Sequence, residues 1–289
     1  MFRGDVMVFR VNFAALVLAL FTVVVGAPAH AAYMFYVDNF SVDKNGAPLF
    51  NDSFSDGLPP PNAPNFLTNG ASASYSVYGT VGPETGGKLV LDSTGAVPST
   101  GPVPNLVQNI ILNTNTSDLP ADASLGLKSN MTFSVSGLFD FVQPGPVGEG
   151  YGIRLTDYTP THTGNDIIDL LLTRGNNSAL NFQLRQVDLT LGTITILEEI
   201  AADPLHQQFL LSLSKTDAGS SAIHAAFAYV DSGMTGNATS FSSTPTIFNG
   251  ESYTSAGIHT LTPVPLPAAG GLLLSGLVAV FGSACRRRR

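Results

Sequence analysis

Tryptophan is absent from the 289 residues, and cysteine occurs once, as Cys285. A lone thiol forms no intrachain disulfide, so residues 33–262 hold neither a nucleophilic cysteine nor a thiolate ligand for zinc. A domain of this size depends instead on core burial and β-ladder hydrogen bonds. Without tryptophan, any stacking on a sugar ring falls to tyrosine or histidine. Charge is scarce too, at 12% of residues. Of the 13 basic residues, Arg3, Arg10 and Arg286 to Arg289 lie at the two ends, together with a single acidic residue, Asp5. The body between the ends therefore carries 7 basic against 20 acidic residues, a net of −13. Such a surface repels phosphate backbones and anionic headgroups at long range, which argues against nucleic acid as a partner and leaves soluble cations or neutral sugars.

What is present is most specific at the ends. Arg3 and Arg10 precede an apolar run from Val11 to Gly26, and Ala29, Ala31 and Ala32 supply the small side chains that signal peptidase accommodates. Residues 1–32 read as a secretory signal peptide delivered to the Sec machinery, with cleavage expected after Ala31 or Ala32. At the other end, Leu266 to Cys285 is a 20-residue stretch without a charge. At 1.5 Å per residue it matches a hydrocarbon core of about 30 Å. A transmembrane helix is expected over 268–285, with Arg286, Arg287, Arg288 and Arg289 retained on the cytoplasmic side and the body outside.

The order of parts in this tail is Val264, Pro265, Leu266, Pro267, Ala268 and Ala269, then Gly270 to Leu277, an apolar helix and an arginine cluster. It resembles the PEP-CTERM sorting signal in its Val-Pro-Leu-Pro-Ala-Ala variant. The resemblance implies recognition by an exosortase, an integral-membrane cysteine protease or transpeptidase of Gram-negative bacteria that make exopolysaccharide and biofilm matrix. Pro265 and Pro267 would frame the recognition site and the four arginines would be the retention signal. Proline lacks a backbone N–H and would keep the segment extended just outside the bilayer. Residence in the inner membrane would then be transient, before release to the cell surface or the exterior.

Between the ends, apolar residues recur at every second position in Met131 to Val135, Leu180 to Leu184, Phe209 to Leu213 and Ile223 to Tyr229. Asp43 to Gly46, Arg174 to Asn177, Asp217 to Gly219 and Asp231 to Gly233 supply turn residues that tolerate positive φ. With 29 glycines and 19 prolines scattered along the chain, no long amphipathic helix can be drawn. The expected class is all-β: one antiparallel β-sandwich over 33–262, followed by the sorting segment 263–289. The stretches Leu49 to Gly57, Tyr75 to Gly79, Gly86 to Asp92 and Tyr151 to Leu155 are similar to laminin-G-like or concanavalin-like jelly rolls. Linkers are expected at Ser240 to Thr246 and Thr262 to Pro265.

Candidate sites in the body are few. Asp38, Asp43, Asp52 and Asp56 supply hard oxygens that suit Ca2+, although their spacing fits no defined calcium loop and turn formation explains them equally well. Asp157, His162, Asn165, Asp166 and Asp169, with Tyr151 and Tyr158 nearby, read as a polar loop able to bind a sugar, or simply solvated. His206, His224 and His259 are isolated in sequence and lack zinc-ligand spacing. A glycosidase needs two carboxylates about 5–10 Å apart across the scissile bond. The adjacent Glu198 and Glu199 would point to opposite faces of a strand, so no catalytic residue is assigned.

The expectation is therefore an exported, non-catalytic cell-surface or matrix protein associated with exopolysaccharide, requiring no cofactor. The alternative is a lectin-like carbohydrate-binding module, Ca2+-dependent or not; a glycoside hydrolase is the remote third.

Overall fold

Period-two alternation interrupted by glycine and Asx turns folds the body almost wholly into strands. The structure, a computed structural model, describes residues 33–58, 65–66, 72–73, 75–93, 96–98, 105–112, 127–156, 165–189, 191–247 and 253–263. The expected signal peptide, sorting motif, transmembrane helix and arginine cluster lie outside these residues. The first half of the body forms β1 (Met34–Lys44), β2 (Ala47–Asp52), β3 (Asn65–Phe66), β4 (Ser72–Ala73), β5 (Tyr75–Tyr78), β6 (Leu89–Asp92), β7 (Val97–Pro98), β8 (Asn105–Leu112) and β9 (Leu127–Lys128). The second half forms β10 (Phe133–Asp140), β11 (Gly150–Thr156), β12 (Asn165–Arg174), β13 (Leu180–Asp188), β14 (Thr193–Ala201), β15 (Gln208–Lys215), β16 (His224–Asp231), β17 (Met234–Thr235), β18 (Thr239–Ser240) and β19 (Tyr253–Pro263). Among the described residues there is no α-helix, and none long and apolar enough to cross a membrane.

The strands assemble into two large antiparallel sheets and a separate two-stranded one, β3-β4. An eight-stranded sheet runs β17-β16-β15-β10-β1-β2, with β18 beside β16 and β6 beside β1. A nine-stranded sheet runs β14-β13-β12-β11-β19-β8-β5, with β7 beside β8 and β9 beside β19. The expected turn chemistry accounts for two tight hairpins. Lys44 pairs with Ala47 across Asn45 (φ 52°) and Gly46 (φ 77°), and Asp231 pairs with Met234 across Ser232 (φ 51°) and Gly233 (φ 78°). Both are two-residue loops with two positive φ values, whose twist matches the flanking strands. Two other turns differ from expectation. Between β12 and β13 the positive φ falls on Ser178 (φ 62°) rather than on either asparagine. At Asp217 the side chain caps the turn instead, accepting from the Gly219 N–H at 2.7 Å.

The inner faces meet in an aromatic core, which gives the body a sandwich-like form. Phe209 of the eight-stranded sheet packs against Tyr151 and Phe182 of the nine-stranded sheet, with ring centroids 5.7 and 5.2 Å apart. Phe35 stacks on Tyr151 at 4.2 Å. Each such ring removes about 150–250 Å² of surface from water, so this cluster is the main hold between the sheets.

Both expected linkers belong to the body. Thr262 and Pro263 finish β19, which sits inside the nine-stranded sheet. Ser240 lies in β18, Phe241 is buried, and Thr246 bridges to Ala222. Serine and threonine density was a poor linker signal here because both residues are also good strand formers and turn cappers.

Candidate functional site

The outer face of the nine-stranded sheet, away from the aromatic core, is built from five neighbouring strands in the order β13-β12-β11-β19-β8. Register places Arg185 opposite Asp169, Asp169 opposite Arg154, and Arg154 opposite Gly257. Two residues along β11, Gly152 faces His259, and His259 faces Asn109 of β8. Because side chains two apart share a face, these residues converge. Two glycines let the strands of this region approach closely: a Cβ at Gly152 would overlap the Leu170 carbonyl oxygen, and one at Gly257 the Ile110 carbonyl oxygen.

The result is a buried charged network. Arg154 donates from Nε to Asp169 Oδ1 at 2.6 Å and from Nη2 to Asp169 Oδ2 at 3.0 Å. Arg185 donates from Nε to the same Oδ2 at 2.7 Å. His259 Nε2 lies 2.9 Å from Arg154 Nη2 and 3.2 Å from Arg185 Nη2, and its Nδ1 lies 2.6 Å from Asn109 Oδ1. A guanidinium only donates, so Nε2 is the acceptor and Nδ1–H donates to the asparagine. Asp169 and His259 are wholly buried.

Burial by itself would raise the Asp169 carboxyl, but Arg154 and then Arg185 hold it well below the usual carboxylate range. Burial, reinforced by the positive charge of Arg154, drives the His259 imidazole well below its ordinary range. The imidazole is therefore neutral, and two guanidinium charges stand against one carboxylate.

Beside this network opens a groove of about 430 Å3. Thr173, Asn181, Gln183 and Arg185 line it, with Arg174 and Glu199 at its margin and Ile194 and Ile196 on one flank. Gln183 Nε2 donates to Glu199 Oε1 at 2.8 Å across the β13–β14 pair. Arg174 is held only by neutral acceptors: the Pro144 carbonyl at 2.6 Å, the Ser178 carbonyl at 2.8 Å and Gln143 Oε1 at 3.5 Å. Behind it sits Glu149, whose carboxyl is pushed up to about 7, mainly by burial. Its Oε1 is buried without a hydrogen-bond partner.

The residues singled out from the sequence fall elsewhere for the most part. Tyr151, expected beside a polar loop, is the centre of the core. It is fully buried, its hydroxyl accepts from the Val142 N–H at 2.8 Å, and it donates between the Asp140 and Val142 carbonyls. Asp157 lies outside the described residues, and of Asp166 only the backbone, in β12, is described. Asp169 was expected in the same polar loop and is instead the pivot of the buried network.

The four N-terminal aspartates do not converge. Asp38 pairs with Lys88 at 3.1 Å, which also holds Asp140 at 2.6 Å, and Gln208 donates to Asp38. Asp43 stands five residues further along β1, roughly 16 Å away at strand rise. Asp52 and Asp56 cap the Phe54 and Leu58 N–H groups as Asx turns, each at 2.9 Å. Near them, burial and then the Asp56 carboxylate push Glu84 up to about 7. No group of three or more His, Cys, Asp or Glu side chains able to hold a metal occurs among the described residues.

Glu198 and Glu199 do diverge. Glu198 accepts from the Ser242 and Ser243 N–H groups at 2.9 and 2.8 Å, while Glu199 turns to Gln183 at the groove. Two of the histidines isolated in sequence, His206 and His259, are engaged in space. His206 Nδ1 is 2.6 Å from Asp231 and its ring stacks on Tyr229 at 3.8 Å.

The network was not read from the sequence; the signal that could have found it is the charge inside Ile167-Ile168-Asp169-Leu170-Leu171-Leu172. A carboxylate in a run buried on both faces needs a cation. No protein-family model matches the chain, and no curated protein or solved structure is detectably similar to it.

Proposed function

We propose that the chain is an exported cell-surface or extracellular-matrix protein, processed by an exosortase at its C-terminal tail, whose sandwich is a non-catalytic module that associates with exopolysaccharide. The observation that carries the reading of the body is the groove of about 430 Å3 on the outer face of the nine-stranded sheet. Its amides and hydroxyl suit exchange of hydrogen bonds with sugar hydroxyls, and Ile194 and Ile196 offer an apolar flank for the C–H face of a pyranose. The reading of the address rests on the Pro265 and Pro267 motif, the apolar stretch and the arginine cluster. The finer fold reading is a jelly roll of laminin-G-like or concanavalin-like kind, supported by the placement of β1 and β19 inside their respective sheets.

The groove contains one carboxylate, Glu199, and adjacent Glu198 points away from it. Binding is therefore expected without hydrolysis and without loss in EDTA. Two measurements test the proposal. Fractionation with C-terminal mass spectrometry, in cells with and without an exosortase, should find a mature form ending near Pro265 only where the enzyme is present. A form still carrying Arg286 to Arg289 in exosortase-positive cells would overturn the sorting reading. Sedimentation with insoluble matrix polysaccharide should retain the chain without releasing reducing ends; turnover abolished by a single carboxylate substitution would replace this reading with a hydrolase.

A further inference from the structure

The three arginines of the body, Arg154, Arg174 and Arg185, all lie on the neighbouring strands β11, β12 and β13, in a body whose net charge is −13. Two of them, Arg174 and Arg185, line the same groove, where they face the single carboxylate of Glu199. Arg185 lines it from a network with one more guanidinium than carboxylate, where its Nε and Nη2 are held by Asp169 and His259. Arg174 donates only to neutral oxygens, and Glu149, the carboxyl that acts on it electrostatically, is buried and pushed up to about 7. A planar fork with N–H groups left over is matched by a two-oxygen anion.

We propose that this groove recognises a carboxylated sugar unit, a uronate-type residue of an acidic polysaccharide, with Arg174 taking the carboxylate. The inference rests on the polysaccharide reading above and names the chemistry of its ligand. The site is cationic where the rest of the body is acidic, so selectivity comes from the groove and not from long-range attraction. Gln183, Asn181 and Thr173 stand beside the arginines for the ring hydroxyls, and Ile194 and Ile196 take the apolar ring face. A free inorganic anion would use only the Arg174 guanidinium.

The test is titration of the full-length chain in detergent, by calorimetry, with tetragalacturonate, its methyl ester and inorganic phosphate. The acid is expected to bind at least about tenfold more tightly than the ester, the difference a charge-assisted hydrogen bond supplies. Arg174→Gln should lose about tenfold for the acid and nothing for the ester. Glu199→Gln, at an exposed position that folding tolerates, should gain about threefold for the acid alone. The gain in Glu199→Gln keeps the proposal falsifiable if Arg174→Gln fails to fold. Equal affinity for acid and ester would overturn the inference and leave the polysaccharide reading standing. No binding of either would overturn both. Phosphate displacing the acid at equal affinity would also overturn it, showing an anion hole without a sugar site.

Discussion

The two sheets use the same strand geometry to opposite ends. In the eight-stranded sheet, β10 and β15 alternate strictly between buried and half-buried positions, and their outer face carries Ser134, Ser136, Ser212 and Ser214. In the nine-stranded sheet, β11 and β13 are buried through runs of four consecutive residues, so both faces are covered. One face holds Tyr151 and Phe182; the other holds Arg154, Asp169, Arg185 and His259. Burial therefore does not mean the same thing on the two faces. On the inner face it is stabilising through removal of apolar surface, and on the outer face it is tolerated only because each charge has a partner. A sheet that accepts that cost has its charges positioned rigidly, which suits recognition; the eight-stranded sheet serves as a wall.

The contrast is sharpest at Asp169. Asp169→Asn removes the one carboxylate between two buried guanidiniums and is expected to destabilise by about 3–5 kcal/mol, read from the midpoint of chemical denaturation. Replacement at no measurable cost would show that the network is solvated and the two faces are not distinct.

A smaller effect is expected from pH. The Glu149 carboxyl is raised to about 7 in the folded chain, above its ordinary value of 4.5, so the folded state holds that proton more tightly. The stability it contributes is present below about pH 4.5 and is lost as pH rises through about 7. His259 works the other way. Its depressed basicity in the folded chain means that stability is present above its ordinary value of 6.5 and is lost as pH falls below it. Glu149→Gln removes the first dependence and leaves the second. Relative to the parent, it should gain on the order of 1–3 kcal/mol between pH 5 and pH 8, measured by denaturation at both. An equal difference at the two values would remove Glu149 from this account.

Tyr151→Phe probes the inner face. It keeps the ring between Phe35 and Phe209 but leaves the Val142 N–H without the hydroxyl that it donates to. A loss of about 1–2 kcal/mol is expected in melting or denaturant experiments. A loss as large as that of a buried phenylalanine would mean that the ring itself had shifted.

The smallest effect belongs to the wall. Ser212→Ala on the outer face of β15 removes only a 3.4 Å bond to the Ala226 carbonyl and should stay within about 0.5 kcal/mol of the parent. A larger loss would show that this face, too, is a structured surface.

Much of this was legible residue by residue. Phe209-Leu210-Leu211-Ser212-Leu213 announced a strand, and Asn45-Gly46 announced the turn that joins β1 to β2. The polar loop drawn from Asp157 to Asp169, with Tyr151 beside it, missed that Asp169 and Tyr151 are buried. Tyr151 turns its hydroxyl to backbone groups nine residues before it, and Asp169 finds Arg154 and Arg185 across two strand pairings. His259 was likewise isolated in the chain while lying 105 residues from one partner and 150 from another.

The amino-acid sequence by itself determined the all-β class, the hairpin turns, the absence of thiol chemistry between residues 33 and 262, and an acidic body. Period and turn chemistry act over a few residues, and composition needs no folding at all. Only the tertiary structure decided where the charges go. A net of −13 is a sum, and a sum cannot show that all three arginines of the body lie on neighbouring strands, because that depends on ladder register and strand order.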